Sequence, residues 1–201
     1  MHTERFCGKA TPIHDYEASL MIIVEADGDD EAGKIANDIG EICLEHGAID
    51  VFVAAGDRAA EMLAFREKAW PAIVQEGKAE MADVVVPRKH VAEFVKVARR
   101  ASDGLGITTF MVGHAGDGNV HVAPLLPDTL DAGDRIVEFY RRIFALGVSF
   151  GGTISGEHGI GYTKKPFLSI AVGSSKLDLM RRIKLAFDPL NIMNPGKIFD
   201  L

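Results

Sequence analysis

The sequence feature that most constrains the fold is a glycine-rich turn between two short apolar runs, within residues 113–122. Asp117-Gly118 at its centre is typical of a two-residue β-hairpin turn, whose type I′ form needs positive φ angles at both central positions. With the turn centred there, His114 pairs with His121, so both side chains are expected on one face. Side chains opposed in this way have Cβ atoms about 4.5–5.5 Å apart, so both imidazoles could bind one metal ion.

A second glycine-rich segment, residues 155–161, carries a further candidate ligand, Glu157, directly before a histidine, His158. Glycines let a backbone approach a ligand closely or adopt positive φ angles. Two histidines and one glutamate would leave an open coordination position, as in catalytic zinc sites. The spacing leaves two other interpretations open: a hairpin whose histidines merely stack, and a flexible loop with solvated polar groups.

Apolar runs alternate with helical patterns along the rest of the chain, after a predicted tail or connector over residues 1–18. Short apolar runs, partly β-branched, predict buried strands at 20–26, 49–54, 84–86, 107–112 and 120–123. Apolar residues at steps of three and four predict helices between residues 30 and 47, 57 and 71, 91 and 104, over 132–146, and over 174–187. This alternation is typical of α/β or α+β folds, in which helices cover a sheet.

Composition excludes several classes of protein. The 201 residues include 22 Lys+Arg and 29 Asp+Glu, a net charge of −7, which argues against a nucleic-acid partner. Two cysteines without a CxxC pattern argue against a disulfide framework and a thiolate zinc site, and indicate a reducing compartment. Neither a signal peptide nor an apolar run of about 18 residues is found. We therefore expect a soluble, cytoplasmic chain with at most peripheral membrane contact.

Three motifs occur in one order along the chain. They are His-Ala-Gly-Asp-Gly-Asn-Val-His at 114–121, Ser-Gly-Glu-His-Gly-Ile-Gly at 155–161, and a segment at 180–199 that ends in Asn-Pro-Gly-Lys-Ile-Phe. Together they resemble the C-terminal domain of FAD-linked oxidases, a family with glycolate oxidase, D-lactate dehydrogenase and D-2-hydroxyglutarate dehydrogenase members, over roughly residues 19–201. The resemblance favours an α+β fold: a mainly antiparallel sheet covered by helices, ferredoxin-like βαβ units and a C-terminal helical segment.

The resemblance also implies roles for the histidines and the glutamate. It implies that His114, His121 and Glu157 hold a divalent metal, Zn or Mn, beside the flavin. It implies that His158 takes the hydroxyl proton of a 2-hydroxy acid while hydride leaves the α-carbon for FAD. These residue types suit the chemistry, since a metal lowers the pKa of a hydroxyl and a neutral imidazole is a base near pH 7.

Other positions match the family individually. Arg66 matches the arginine that grips the substrate carboxylate, although most single helix arginines are merely exposed. Asn194 and Lys197 fall where the family's C-terminal segment returns to the flavin, although Asn-Pro-Gly is also a plain turn. Trp70 and Ala123 stand where the 2-hydroxyglutarate enzymes have polar substrate contacts. That departure favours a smaller or more apolar 2-hydroxy acid.

The family places an FAD-binding domain before this one, and the residues before position 19 are too few to supply it. The expected function is therefore the substrate- and metal-binding half of an FAD-dependent 2-hydroxy acid dehydrogenase or oxidase, of glycolate or D-lactate type. It would be a fragment or a split subunit that works with an FAD-binding domain or subunit and is inactive alone. Two alternatives are a metal-dependent hydrolase and a non-catalytic module that binds a 2-hydroxy acid or a flavoprotein.

Overall fold

The computed structural model describes residues 16–77, 80–125 and 132–201, so the predicted tail lies almost wholly outside the described residues. The chain divides into two compact units between Gln75 and Glu76. No helix in the described part of the chain has the length and apolarity to cross a membrane.

Helices dominate the described residues of the first unit. They are α1 (Asp29–Glu45), α2 (Asp57–Glu67) and α3 (Ala69–Gln75). The first turn of α1 holds three acidic residues, which the positive end of the helix dipole stabilises. Pro71 lies in the first turn of α3, where its missing N–H leaves no helical hydrogen bond unmade.

The strands predicted over 20–26 and 49–54 are wrong. Neither run belongs to a strand, and the side chains of Ile23 and Ile49 are 61% and 82% exposed. An apolar, β-branched run shows only that its side chains suit a pleated surface. A strand also needs a neighbour for its backbone hydrogen bonds, and the pattern of one segment cannot show whether that neighbour exists.

The second unit is built around a small antiparallel sheet. In chain order it contains β1 (Ala82–Val85), α4 (Val91–Gly104), β2 (Thr109–His114), β3 (Asn119–Pro124) and α5 (Ala132–Ser149). The strand order is β1-β3-β2, and Thr153 forms one antiparallel bridge with Val85. With that bridge in the place of a fourth strand, this is the ferredoxin-like βαββαβ order. The predicted α+β fold is confirmed.

The two long helices of this unit cover one face of the sheet. Phe94 from α4 and Phe139 from α5 pack there against Val84, Val120 and Val122 from the strands. Successive side chains of a strand point to opposite faces, so the residues between these valines lie on the other face. The candidate functional residues are found on that second face.

The predicted C-terminal helix is confirmed as α7 (Ser174–Phe187), which follows a 3-10 turn at Lys165–Phe167 and the short α6 (Leu168–Ala171). Beyond α7 the chain turns back, and the amide of Ile198 donates to the carbonyl oxygen of Gly161 at 2.7 Å. The C-terminal segment thus lies beside the second glycine-rich loop.

Candidate metal centre

The β2–β3 hairpin carries two of the predicted ligands, but the predicted register is wrong. His114 lies opposite Asn119, and His121 lies opposite Val112. Within the turn only Gly118 has a positive φ angle, of 76°, so the type I′ turn does not form and four residues separate the strands. Because the partner of each histidine shifts by two positions, both histidines stay on one face as diagonal neighbours.

Three imidazoles converge on one carboxylate oxygen. Glu157 Oε1 lies 3.0 Å from His121 Nε2, 3.7 Å from His114 Nε2 and 3.6 Å from His158 Nε2. The rings of His114 and His121 are perpendicular with centroids 5.2 Å apart, and His158 stacks on His121 at the same separation. The structure therefore brings together the predicted metal ligands and the predicted base.

The donor set fits a divalent metal. The ligand atoms of His114, His121 and Glu157 all lie within 4.8 Å of one another. Two ligands bonded at about 2.1 Å to one tetrahedral ion would be about 3.4 Å apart. The distances from the Glu157 oxygen to the two strand histidines, 3.0 and 3.7 Å, fall on either side of that value. Imidazole nitrogens and a carboxylate oxygen suit zinc and manganese.

His121 is the buried member of the cluster, with 8% of its surface exposed. Burial lowers the pKa of His121, and the Glu157 carboxylate opposes that shift only in part. A lowered pKa favours the neutral imidazole, which is the form that binds a metal. Its Nδ1 atom is buried and has no hydrogen-bond partner among the residues described.

The Glu157 loop is anchored by a residue that the sequence patterns did not indicate. Asp83 is fully buried in β1 and pairs with His121 in the sheet register. Its Oδ2 atom accepts hydrogen bonds from three successive backbone amides, at residues 156, 157 and 158, over 2.8, 2.7 and 3.0 Å. Its Oδ1 atom accepts from the hydroxyl of Ser155 at 3.2 Å and from the ammonium of Lys164.

This environment keeps Asp83 ionised. Burial alone would raise the pKa of the carboxyl, but the amide of His158, the ammonium of Lys164 and the amide of Glu157 together lower it to about 2. The available signal was a single acidic residue inside the otherwise apolar run at 82–86. A carboxylate in such a run is rarely buried unless it is paired.

Comparison with known proteins places the chain in a family. The model of the FAD linked oxidases, C-terminal domain, matches residues 5–198. The chain belongs to this family. It is 38% identical over 186 residues to an uncharacterized FAD-linked oxidoreductase of Mycobacterium tuberculosis, covering 91% of this chain and 39% of that protein.

Two further relatives carry names of enzymes. A D-lactate dehydrogenase of Archaeoglobus fulgidus is 36% identical over 197 residues, covering 97% of this chain and 42% of the relative. Glycolate oxidase subunit GlcD of Bacillus subtilis is 34% identical over 188 residues, covering 90% of this chain and 40% of the relative. This FAD-linked oxidase domain thus spans about two fifths of the length of the relatives it matches. A solved 4-ethylphenol oxidase from Gulosibacter chungangensis aligns with a TM-score of 0.46 and 24% identity, over 74% of this chain and 32% of that chain.

The remaining predicted site residues of this oxidase domain belong to neither the hairpin nor the second glycine-rich loop. Arg66 is exposed on α2, in the first unit. Asn194 and Lys197 lie in the exposed C-terminal segment, where the Lys197 ammonium is 5.1 Å from the ring centre of Tyr162. Their assignment to substrate and flavin stays a prediction.

Proposed function

We propose that this chain is the substrate- and metal-binding part of an FAD-dependent 2-hydroxy acid dehydrogenase or oxidase, of glycolate or D-lactate type. The observation that carries the proposal is the convergence of three imidazoles on one oxygen of Glu157, in a chain of the FAD-linked oxidase family. The names of the relatives support the substrate class, since two of them are named for lactate and glycolate.

In this proposal His114, His121 and Glu157 hold a divalent metal, Zn or Mn. When bound, the metal supplies positive charge beside the substrate hydroxyl, and FAD supplies the hydride acceptor. The chain's own contribution is a rigid placement. The two histidines are fixed by strand pairing, and the glutamate is fixed by the hydrogen bond from its amide to Asp83.

We assign the proton transfer to His158. Its Nε2 atom lies 3.6 Å from Glu157 Oε1, its ring stacks on His121, and its amide is bonded to Asp83 at 3.0 Å. In the reaction the hydroxyl O–H bond breaks and its proton passes to His158 Nε2. With FAD bound in the complete enzyme, the α-carbon would lose its hydrogen together with the C–H electron pair to that acceptor, and the substrate would become a 2-oxo acid. An imidazole suits this step because its ordinary pKa is close to neutral pH.

We propose further roles for other side chains. The guanidinium of Arg66 binds the substrate carboxylate through paired hydrogen bonds, a geometry that arginine favours. Asn194 and Lys197 contact the FAD, which a separate FAD-binding domain or subunit mainly holds. Trp70 and Ala123 offer no carboxylate-binding group, so a small or apolar 2-hydroxy acid is favoured over a dicarboxylate.

The test is flavin reduction in the complete enzyme, with the FAD-binding part present. Mixing it anaerobically with glycolate or D-lactate should bleach the flavin absorbance. His158→Ala should slow this bleaching about 100-fold or more while the metal content stays that of wild type. His46→Ala, which removes an exposed histidine at the end of α1, should change neither quantity. Bleaching of His158→Ala at the wild-type rate, or no bleaching of the wild type by any 2-hydroxy acid, would overturn the proposal.

A further inference from the structure

Beside the candidate metal centre lies an ion pair that takes no direct part in the proposed bond changes. Asp83 and Lys164 are separated by 81 residues, and their side chains are 0% and 7% exposed. Removing two such charges from water is costly unless further hydrogen bonds satisfy them. Their partners are therefore informative about what the pair does.

Both ends of the glycine-rich loop meet at this one carboxylate. Ser155, at the start of the loop, donates to Asp83, and so does Lys164, just past its end. The ammonium of Lys164 also lies 3.3 Å from the Ser155 hydroxyl, and the amide of Lys164 is bonded to the carbonyl oxygen of Ile160. The loop is thus closed on itself around Asp83.

The amides between those two ends fix the functional residues. Glu157 and His158 each donate their backbone N–H to Asp83 Oδ2. These bonds fix the position of the backbone that carries both side chains relative to β1. The loop also lies close against the sheet, since a Cβ atom on Gly156 would be 2.7 Å from Val85 Cγ2 and 2.9 Å from Asn119 Cγ. The centre therefore has a strand half, which the sheet positions, and a loop half, which Asp83 positions.

We propose that Asp83 is a positioning residue with Lys164 as its counter-ion, and that Asp83 holds Glu157 and His158 against His114 and His121 so that the metal ligands and the proton acceptor assemble together. The inference deepens the proposed function and rests on it. Asp83 does the positioning through the three amides. Lys164 neutralises the buried carboxylate and keeps its second oxygen aligned with Ser155.

The test compares metal affinity in variants that keep the buried volume. Asp83→Asn alone would leave the ammonium of Lys164 buried without its counter-ion and could unfold the chain. The double variant Asp83→Asn/Lys164→Met removes both charges, and Lys164→Met alone keeps the carboxylate with its three amides. Titration of Zn²⁺ against a competing chelator should give a dissociation constant about 10- to 100-fold higher for the double variant than for wild type. The zinc dissociation constant of Lys164→Met should be much closer to that of wild type.

A matched control separates positioning from general stability. Asp188, at the end of α7, is also buried, accepts from Lys184 and takes two backbone amides, those of Ile192 and Met193. Asp188→Asn/Lys184→Met therefore removes the same kind of ion pair away from the metal cluster. It should lower the melting temperature without changing zinc affinity. Equal losses of zinc affinity in both double variants would overturn the inference.

A metal-free measurement keeps the two proposals distinguishable. Exchange of the amides of residues 156–158 with solvent, followed by NMR, should be slow in wild type and much faster in Asp83→Asn/Lys164→Met. If wild type binds zinc and this folded variant binds it equally well, the inference fails and the proposed function stands. If wild type binds no divalent metal, the proposed function fails. Unchanged exchange protection in the variant would then reject the positioning role of Asp83 as well.

Discussion

Single side chains decide where charge lies around the candidate metal centre. His121 has two carboxylates as neighbours. Glu157 Oε1 lies 3.0 Å from His121 Nε2, and Asp83 is at the paired position of β1. Burial lowers the pKa of His121 and the neighbouring His158 and His114 lower it further, so the net shift is downward although both carboxylates raise it. The buried histidine therefore stays neutral, with a lone pair to offer a metal, while the two carboxylates supply the negative charge that a cation needs.

The lowered pKa of Asp83 predicts a specific acid sensitivity. Its folded value of about 2 lies below the ordinary 3.8, so the stabilisation is complete above about pH 5 and is lost as the pH falls towards 2. The difference corresponds to about 2 kcal/mol of unfolding free energy. Urea unfolding in the presence of a chelator measures the unfolding free energy at each pH. As the pH falls towards 2, this free energy should decrease by about 2 kcal/mol less in Asp83→Asn/Lys164→Met than in wild type. The same dependence of unfolding free energy on pH in both proteins would contradict the stabilising role of ionised Asp83.

At this scale the sequence predicted the residues with distinctive chemistry better than the residue that supports them. His114, His121, Glu157 and His158 were recognisable because histidines and a glutamate among glycines are a chemically unusual combination. Asp83 was not recognised, because its role depends on the amides of a loop more than seventy positions later in the chain. Such a contact leaves no local periodicity to detect.

The hairpin and the loop after α5 are the elements that build the site. A turn dipeptide such as Asp117-Gly118 is compatible with two-residue and four-residue connections, so it predicts a hairpin without fixing its register. The face on which His114 and His121 lie was still predictable, because a shift of two positions preserves the alternation of a strand. The close approach of the loop to the sheet was not, since it depends on packing at Gly156.

That close approach predicts the effect of adding one methyl group. In Gly156→Ala the new Cβ atom would be 2.7 Å from Val85 Cγ2 and 2.9 Å from Asn119 Cγ, so the loop or these side chains must shift. We expect a loss of about 1–3 kcal/mol in unfolding free energy, together with weaker zinc binding. Chemical unfolding and zinc titration measure the two effects.

The control for this substitution is Gly116→Ala in the hairpin turn. A Cβ atom there would have no neighbour within 4 Å, and Gly116 does not have a positive φ angle. This variant should keep both the stability and the zinc affinity of wild type. A Gly156→Ala protein that behaves like Gly116→Ala would show that the loop can move away from the sheet without affecting the site.

At the scale of the whole molecule, the apolar core and the candidate site of the second unit lie on opposite faces of its sheet. Its helices bury one face of the sheet in an apolar core, and the opposite face carries the histidines and the glycine-rich loop. The α+β class was predictable from the three family-like motifs. Whether residues 20–26 and 49–54 form buried strands was not predictable. The burial of an apolar run depends on what packs against it, and the composition of the run does not show this.

The proposed function requires that His114, His121 and Glu157 hold a divalent metal. The most direct measurement is the metal content of the purified chain by mass spectrometry, for wild type, His121→Ala and the control His46→Ala. We expect near-stoichiometric zinc or manganese in wild type and in His46→Ala, and its loss in His121→Ala. A wild-type chain without divalent metal, or a His121→Ala chain that keeps it, would contradict the proposed metal site.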